Sequence, residues 1–187
     1  MPSLSIDILK QLHDDYKSYP CFIETGTNNG NTTFAVEPFF NTIYTIEFSE
    51  QLYNKTKAKY NGNKITFLHG DSSIVFDSLL PTITQKSIFF LDGHYCGGNS
   101  GQSAKDCPLD EEITSIKNNF KYEGIIIVDD YRLFGLDSSS GKLSEDWSKI
   151  SKDNLLNILG DRVDKVYHLD SEFAKNDRLI IHIRADT

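Results

Sequence analysis

Glu24 closes the apolar run Cys21-Phe22-Ile23 and stands just before Thr25-Gly26-Thr27-Asn28-Asn29-Gly30. That order reads as a strand ending in a carboxylate and opening into a glycine loop with a helix behind it. A carboxylate beside two glycines four residues apart suits a ligand with a cationic amine and a bulky body close to the backbone. A dinucleotide loop, G-x-G-x-x-G, instead aims bare N–H groups at a pyrophosphate. Here Thr27 separates Gly26 from Asn28, and that spacing is absent. A strand leading into glycines is common in α/β proteins, so the motif gains its weight from the strand ends downstream of it.

Four more strand candidates end in acids. The second ends in Glu47, the third runs into Gly70-Asp71-Ser72-Ser73, the fourth ends in Asp92-Gly93-His94-Tyr95 and the fifth in Asp129-Asp130-Tyr131. In an open α/β sheet, ligands bind outside the carboxyl ends of the strands near the topological switch point. A single acid there is commonly a helix cap or turn former. Five in succession mark a site.

The elements that would carry these residues are short apolar runs alternating with helical stretches. Strands are expected over 21–24, 42–47, 64–69, 87–92, 124–129, 163–169 and 178–184. Ser-Ile-Phe-Phe-Leu-Asp at 87–92 and Gly-Ile-Ile-Ile-Val-Asp at 124–129 are apolar until their last residue, as befits central parallel strands covered on both faces. Helices are expected over 50–60, 73–80, 109–120 and 153–159, the last stopped by Gly160, with an N-terminal helix presenting Ile8, Leu9, Leu12 and Tyr16. This alternation predicts one doubly wound α/β sheet. The 187 residues suffice for a single domain, residues 1–187, and leave no room for a separate substrate domain.

Composition narrows the partners. A net charge of -8 without a Lys/Arg cluster argues against nucleic acid or another polyanion. The polar N-terminus carries no signal peptide, and no apolar run approaches membrane-spanning length. Cys21, Cys96 and Cys107 form an odd set without C-x-x-C, which predicts reduced thiols in a cytoplasmic protein.

On these residues the chain resembles class I S-adenosylmethionine-dependent methyltransferases over nearly its whole length. The resemblance implies a Rossmann-like seven-stranded sheet in the order 3-2-1-4-5-7-6 with strand 7 antiparallel. It places Glu24, Thr25, Gly26, Thr27 and Gly30 around the methionine part of the cofactor. Glu47 falls where both ribose hydroxyls are bound, Asp71 with Ser72 where adenine is held, and Asp92 beside the cofactor. The chemistry agrees, since a ribose diol offers two donors to a carboxylate and the adenine amine needs an acceptor.

Asp92, Asp129 and Asp130 resemble the metal ligands of cation-dependent O-methyltransferases. Three carboxylates without His or Cys suit a hard divalent cation, Mg²⁺ or Mn²⁺, in oxygen coordination. The alternative is that Asp129-Asp130 caps a turn and Asp92 contacts the cofactor. The Asp-Asp pair looks more like sugar O-methyltransferases of the macrocin type than the catechol type. The segments Leu91–Tyr95 and Cys107–Ile113 are also similar to glycan-associated methyltransferase domains of large algal viruses. The resemblance therefore implies a carbohydrate acceptor, a glycan or glycoside. The cation would lower the pKa of a sugar hydroxyl, and His94, two residues past Asp92, would be the general base.

Two polar stretches leave the same rim: the glycine-rich residues 96–108 and residues 132–147. They are expected to roof an acceptor pocket, with Tyr95, Tyr131, Phe134 and Trp147 either stacking on a sugar or packing in the core. Two other function classes stay open: O-methylation of a phenolic, catechol-like acceptor, and a non-catalytic nucleoside-binding module.

Overall fold

The computed structural model describes residues 3–93, 107–137 and 146–186. His94, Tyr95 and Cys96, together with most of the expected glycine-rich roof, lie outside the described residues.

Seven strands form one sheet: β1 Cys21–Thr25, β2 Thr42–Glu47, β3 Ile65–His69, β4 Ser87–Leu91, β5 Gly124–Val128, β6 Val163–Leu169 and β7 Arg178–Ile183. Their order is β3-β2-β1-β4-β5-β7-β6. The first five are parallel, and β7 runs antiparallel to both β5 and β6. The expected topology is therefore the observed one. β1, β4, β5 and β7 are buried at every position, which explains the apolar runs without alternation in β4 and β5.

The helices are α1 Ile6–Leu9, α2 Asn31–Val36, α3 Glu50–Lys57, α4 Ser72–Leu79, α5 Leu109–Asn119 and α6 Lys152–Leu159. Successive strand residues feed opposite cores. Cys21, Ile23, Phe89, Leu91, Ile126 and Val128 pack with α4, α5 and α6 residues such as Phe76, Ile113 and Leu155. Phe22, Ile88, Phe90, Ile125 and Ile127 pack with Leu4, Leu9, Leu12, Tyr16 and Val36 on the other face.

The N-terminal helix is shorter than its apolar spacing predicts. α1 ends at Leu9, and the chain restarts as a 3₁₀ turn at Tyr16–Ser18. Asp15 caps that turn by accepting a hydrogen bond from the Lys17 N–H, while Leu9, Leu12 and Tyr16 are buried all the same. Asp14 anchors this segment to the sheet: it accepts from Lys165 Nζ at 2.6 Å and bonds His182 Nδ1 at 3.0 Å. The other ring nitrogen of His182 meets the Tyr167 hydroxyl at 3.0 Å. His182 pairs with Ile125 near the start of β5, far from the strand ends where the acids gather.

Candidate functional site

Parallel pairing of β1 to β5 delivers their carboxyl ends to one rim. Gly26 and Thr27 leave β1 with their N–H groups bonded to the Ile46 carbonyl of β2, at 2.9 and 3.2 Å. Gly26 has φ +83°, and a Cβ there would sit 2.3 Å from the Asp92 carbonyl oxygen. Only glycine lets the ends of β1 and β4 approach this closely. Gly30, at φ +79°, would drive a Cβ into Phe34 and Thr56. The loop between them is held from α3, where Thr56 Oγ1 donates to the Asn28 carbonyl at 2.6 Å and Lys55 Nζ to Asn29 Oδ1 at 3.2 Å.

Glu24 and Glu47 occupy different surroundings. Glu24 is 1% exposed, and its Oε2 accepts hydrogen bonds from the hydroxyls of Thr33 on α2 and Thr45 on β2. Thr27 Oγ1 extends the chain of hydroxyls, 2.6 Å from Thr45 Oγ1. Burial pushes the Glu24 carboxyl up to about 7 against the pull of the two hydroxyls, and the charge of Glu47 adds to the rise. Glu24 therefore sits beneath the loop, bound to threonines. Glu47 Oε2 accepts the Asn28 N–H at 2.7 Å and its Oε1 the Ser49 N–H at 2.8 Å. Each oxygen keeps a lone pair for a further donor.

Asp71 is the N-cap of α4, accepting from Ser73 N and Oγ at 3.0 and 2.6 Å. Ser72 Oγ donates at 2.5 Å to Glu112 Oε1, a carboxylate 1% exposed on α5. Glu112 also borders Gly93, where a Cβ would come within 3.2 Å of Oε1 and 2.9 Å of Thr25 Oγ1. The sequence pattern did not single out Glu112. Its only trace was an acid at the helix position whose neighbours Leu109, Ile113 and Ile116 form a buried stripe.

At the β5 end, carboxylate oxygens of Asp129, Asp130 and Asp177 lie within 4.8 Å of one another. Asp92 is not part of this group. Its backbone N–H instead bonds the Thr25 carbonyl at 3.3 Å, beside Gly26. Asp177, just before β7, is the missed third member, and only the antiparallel return of β7 brings it here. Asp130 has φ +58°, which swings its side chain onto Arg132. Arg132 Nη1 also bonds Asp177 Oδ2 at 2.5 Å, and Arg178 Nε lies 3.5 Å from Asp129 Oδ1. Burial raises the Asp129 carboxyl to about 6, opposed by Arg178 and reinforced by the Asp130 and Asp177 charges. The three carboxylates form a set whose oxygens lie close enough together to hold a metal ion, with Arg132 bridging Asp130 and Asp177.

Of the expected stacking residues, Trp147 is 2% exposed and packs on Phe134, with ring centroids 5.9 Å apart. Trp147 is core, buried in the same apolar cluster as Ile150. Tyr131 and Phe134 are half-buried against each other at 4.8 Å. Cys21 and Cys107 are both buried. Among the described residues no helix is long and apolar enough to cross a membrane.

No protein-family model and no curated protein matches the chain. Solved structures do. An S-adenosylmethionine-bound O-methyltransferase of tomaymycin synthesis, TomG from Streptomyces achromogenes, superposes with a TM-score of 0.63 at 11% identity, over 91% of this chain and 75% of that one. The N-methyltransferase NodS from Bradyrhizobium japonicum gives 0.55 at 9%, over 91% and 88%. A Listeria monocytogenes protein assigned as an S-adenosylmethionine-dependent methyltransferase gives 0.60 at 13%, over 97% of each chain. At these identities the likeness is one of fold: the chain has the fold of S-adenosylmethionine-dependent methyltransferases.

Proposed function

We propose that the chain binds S-adenosylmethionine along this rim and transfers its methyl group to a hydroxyl oxygen of a carbohydrate. The observation that carries the reading is the coupling of Glu47 to the glycine loop. The Asn28 N–H holds one carboxylate oxygen at the end of β2, while Gly26 presses the loop against Asp92. A carboxylate fixed in this way beside bare backbone is built to accept two hydroxyl donors of a ribose.

The cofactor's sulfonium supplies an electrophilic methyl group. This chain's residues do the rest. Glu47 orients the ribose; Gly26 and Gly30 keep Cβ atoms out of the way; the α4 N-terminus, with Asp71 as its cap and Ser72 fixed by Glu112, borders the adenine. Glu24 acts one layer below, tying α2 and β2 to the loop. Methyl transfer is an in-line displacement, so positioning the acceptor oxygen behind the methyl carries much of the acceleration. His94, next to Gly93 in sequence, takes the hydroxyl proton in this reading; loss of turnover in His94→Ala with cofactor binding intact is the check.

The test is calorimetry with S-adenosylhomocysteine, then incubation with S-adenosylmethionine and a panel of methyl glycosides and catechols. A mass gain of one CH₂ on a glycoside is expected. Binding of NAD in place of the sulfonium cofactor overturns the reading, and methylation confined to catechols moves it to the phenolic class.

A further inference from the structure

Beyond the β5–β7 end of the rim, residues 3–11 and the loop that joins β6 to β7 border an open cleft of about 410 Å³. That volume falls in the range of small-molecule sites, roughly 300–1,000 Å³. Arg178 builds it. Its side chain is 5% exposed; Nη2 donates to the Ser3 carbonyl at 2.6 Å and Nη1 to the Asp170 carbonyl, drawing the two walls together. The same guanidinium backs onto Asp129 at 3.5 Å.

The cleft adjoins the rim through direct contacts. Asp129 N–H bonds the Leu91 carbonyl at 3.3 Å, and the carbonyl of the next residue, Asp92, touches Gly26. Gly26, Asp92, Asp129 and Arg178 thus form a continuous path from the glycine loop to the cleft floor. Thr32 Oγ1, at the head of α2, accepts the Leu4 N–H at 3.3 Å and fixes the N-terminal wall to the same loop from the other side.

The lining sorts ligands by charge. Among the described residues that line it, the cation is Arg178, and its guanidinium already faces two carbonyls and Asp129. Ser5 contributes a hydroxyl that makes no cap bond to α1, Gln11 an amide, and Asp170 and Glu172 carboxylates. Ile8 adds one apolar surface. An anionic ligand would meet two acids with no free cation in this lining. A neutral polyhydroxylated molecule presents donors to the carboxylates and acceptors to the hydroxyl and amide, with a C–H face for Ile8.

We propose that this cleft seats the acceptor as a neutral polyhydroxylated ligand of the glycoside type. Its role as acceptor pocket rests on the methyl-transfer reading; glycoside binding there does not. The experiment is ligand-observed saturation-transfer NMR on the full chain saturated with S-adenosylhomocysteine, using methyl α-D-glucopyranoside and methyl α-L-rhamnopyranoside, with putrescine as the cationic probe. Transfer to a glycoside is expected in the parent chain, and its loss in Ser5→Trp and Glu172→Trp, which fill the cleft from opposite walls. S-Adenosylhomocysteine affinity, measured by calorimetry, is expected unchanged in both, which also reports that they fold. Glycoside signals that persist in both variants overturn the proposal, as does their absence from the parent chain or displacement of the glycoside by putrescine. A parent chain that binds glycoside but not S-adenosylhomocysteine would instead defeat the methyl-transfer reading and leave the cleft assignment standing.

Discussion

Glu24 and Glu47 close neighbouring parallel strands, and in sequence each is an acid at the end of an apolar run. They are nonetheless opposites. Glu24 lies within β1, paired between β2 and β4, and its side chain enters the core face where only the hydroxyls of Thr33 and Thr45 reach it. Glu47 is the last residue of β2, at the sheet's rim, and its partners are backbone N–H groups of Asn28 and Ser49. A carboxylate bonded by hydroxyls inside the fold acts as a strut. One bonded by the glycine loop itself is, in the proposed reading, a ligand group. Position relative to the strand end, by a single residue, separates the two roles.

The largest effect that would break this contrast concerns the strut. Glu24→Ala strands two buried hydroxyls and opens a cavity, and we expect a loss of about 2–5 kcal/mol of folding stability in urea titrations. A loss confined to cofactor affinity would make Glu24 a ligand residue after all. Next comes Glu47→Ala, which removes a charged acceptor. S-Adenosylhomocysteine affinity should fall by about 1.5–3 kcal/mol, roughly 10- to 150-fold, in calorimetry. Unchanged affinity would remove Glu47 from the site.

A smaller effect sharpens the difference through pH. The Glu24 carboxyl is raised from 4.5 to about 7, so the folded chain holds this proton more tightly than the unfolded chain. Its contribution to stability is full below pH 4.5 and declines as pH rises toward 7. Glu24→Gln keeps the shape and cannot titrate, so the stability difference between parent and variant should change across that window and flatten above it. A difference independent of pH would mean that Glu24 is ionised in the fold throughout. The smallest expected effect is none: with Arg132 bridging Asp130 and Asp177, EDTA should leave turnover unchanged. Activity abolished by EDTA and restored by Mg²⁺ or Mn²⁺ would show that Arg132 yields its place to a cation.

The sheet was legible because its signals are local. Four-residue to seven-residue apolar runs, separated by helical stretches, mark seven strands, and uninterrupted apolarity in β4 and β5 marks the centre. Helix lengths were less so. α1 stops at Leu9 although the apolar spacing still reads as helical through Tyr16, because Leu12 and Tyr16 are buried by tertiary packing without being in α1.

What the sequence determined by itself about this protein is the α/β alternation, the rim to which five parallel strands bring their carboxyl ends, and the glycines that this rim requires. Those derive from periodicity, burial and the φ values open to glycine, all properties of short stretches of chain. Tertiary structure alone decided which acids share a space. Asp177 joins Asp129 because β7 returns antiparallel beside β5, Glu112 reaches Ser72 across 40 residues, and Arg132 bridges Asp130 to Asp177 across 45. A carboxylate's role depends on the charges and donors within a few ångströms of it, and those neighbours come from strands and helices distant in sequence.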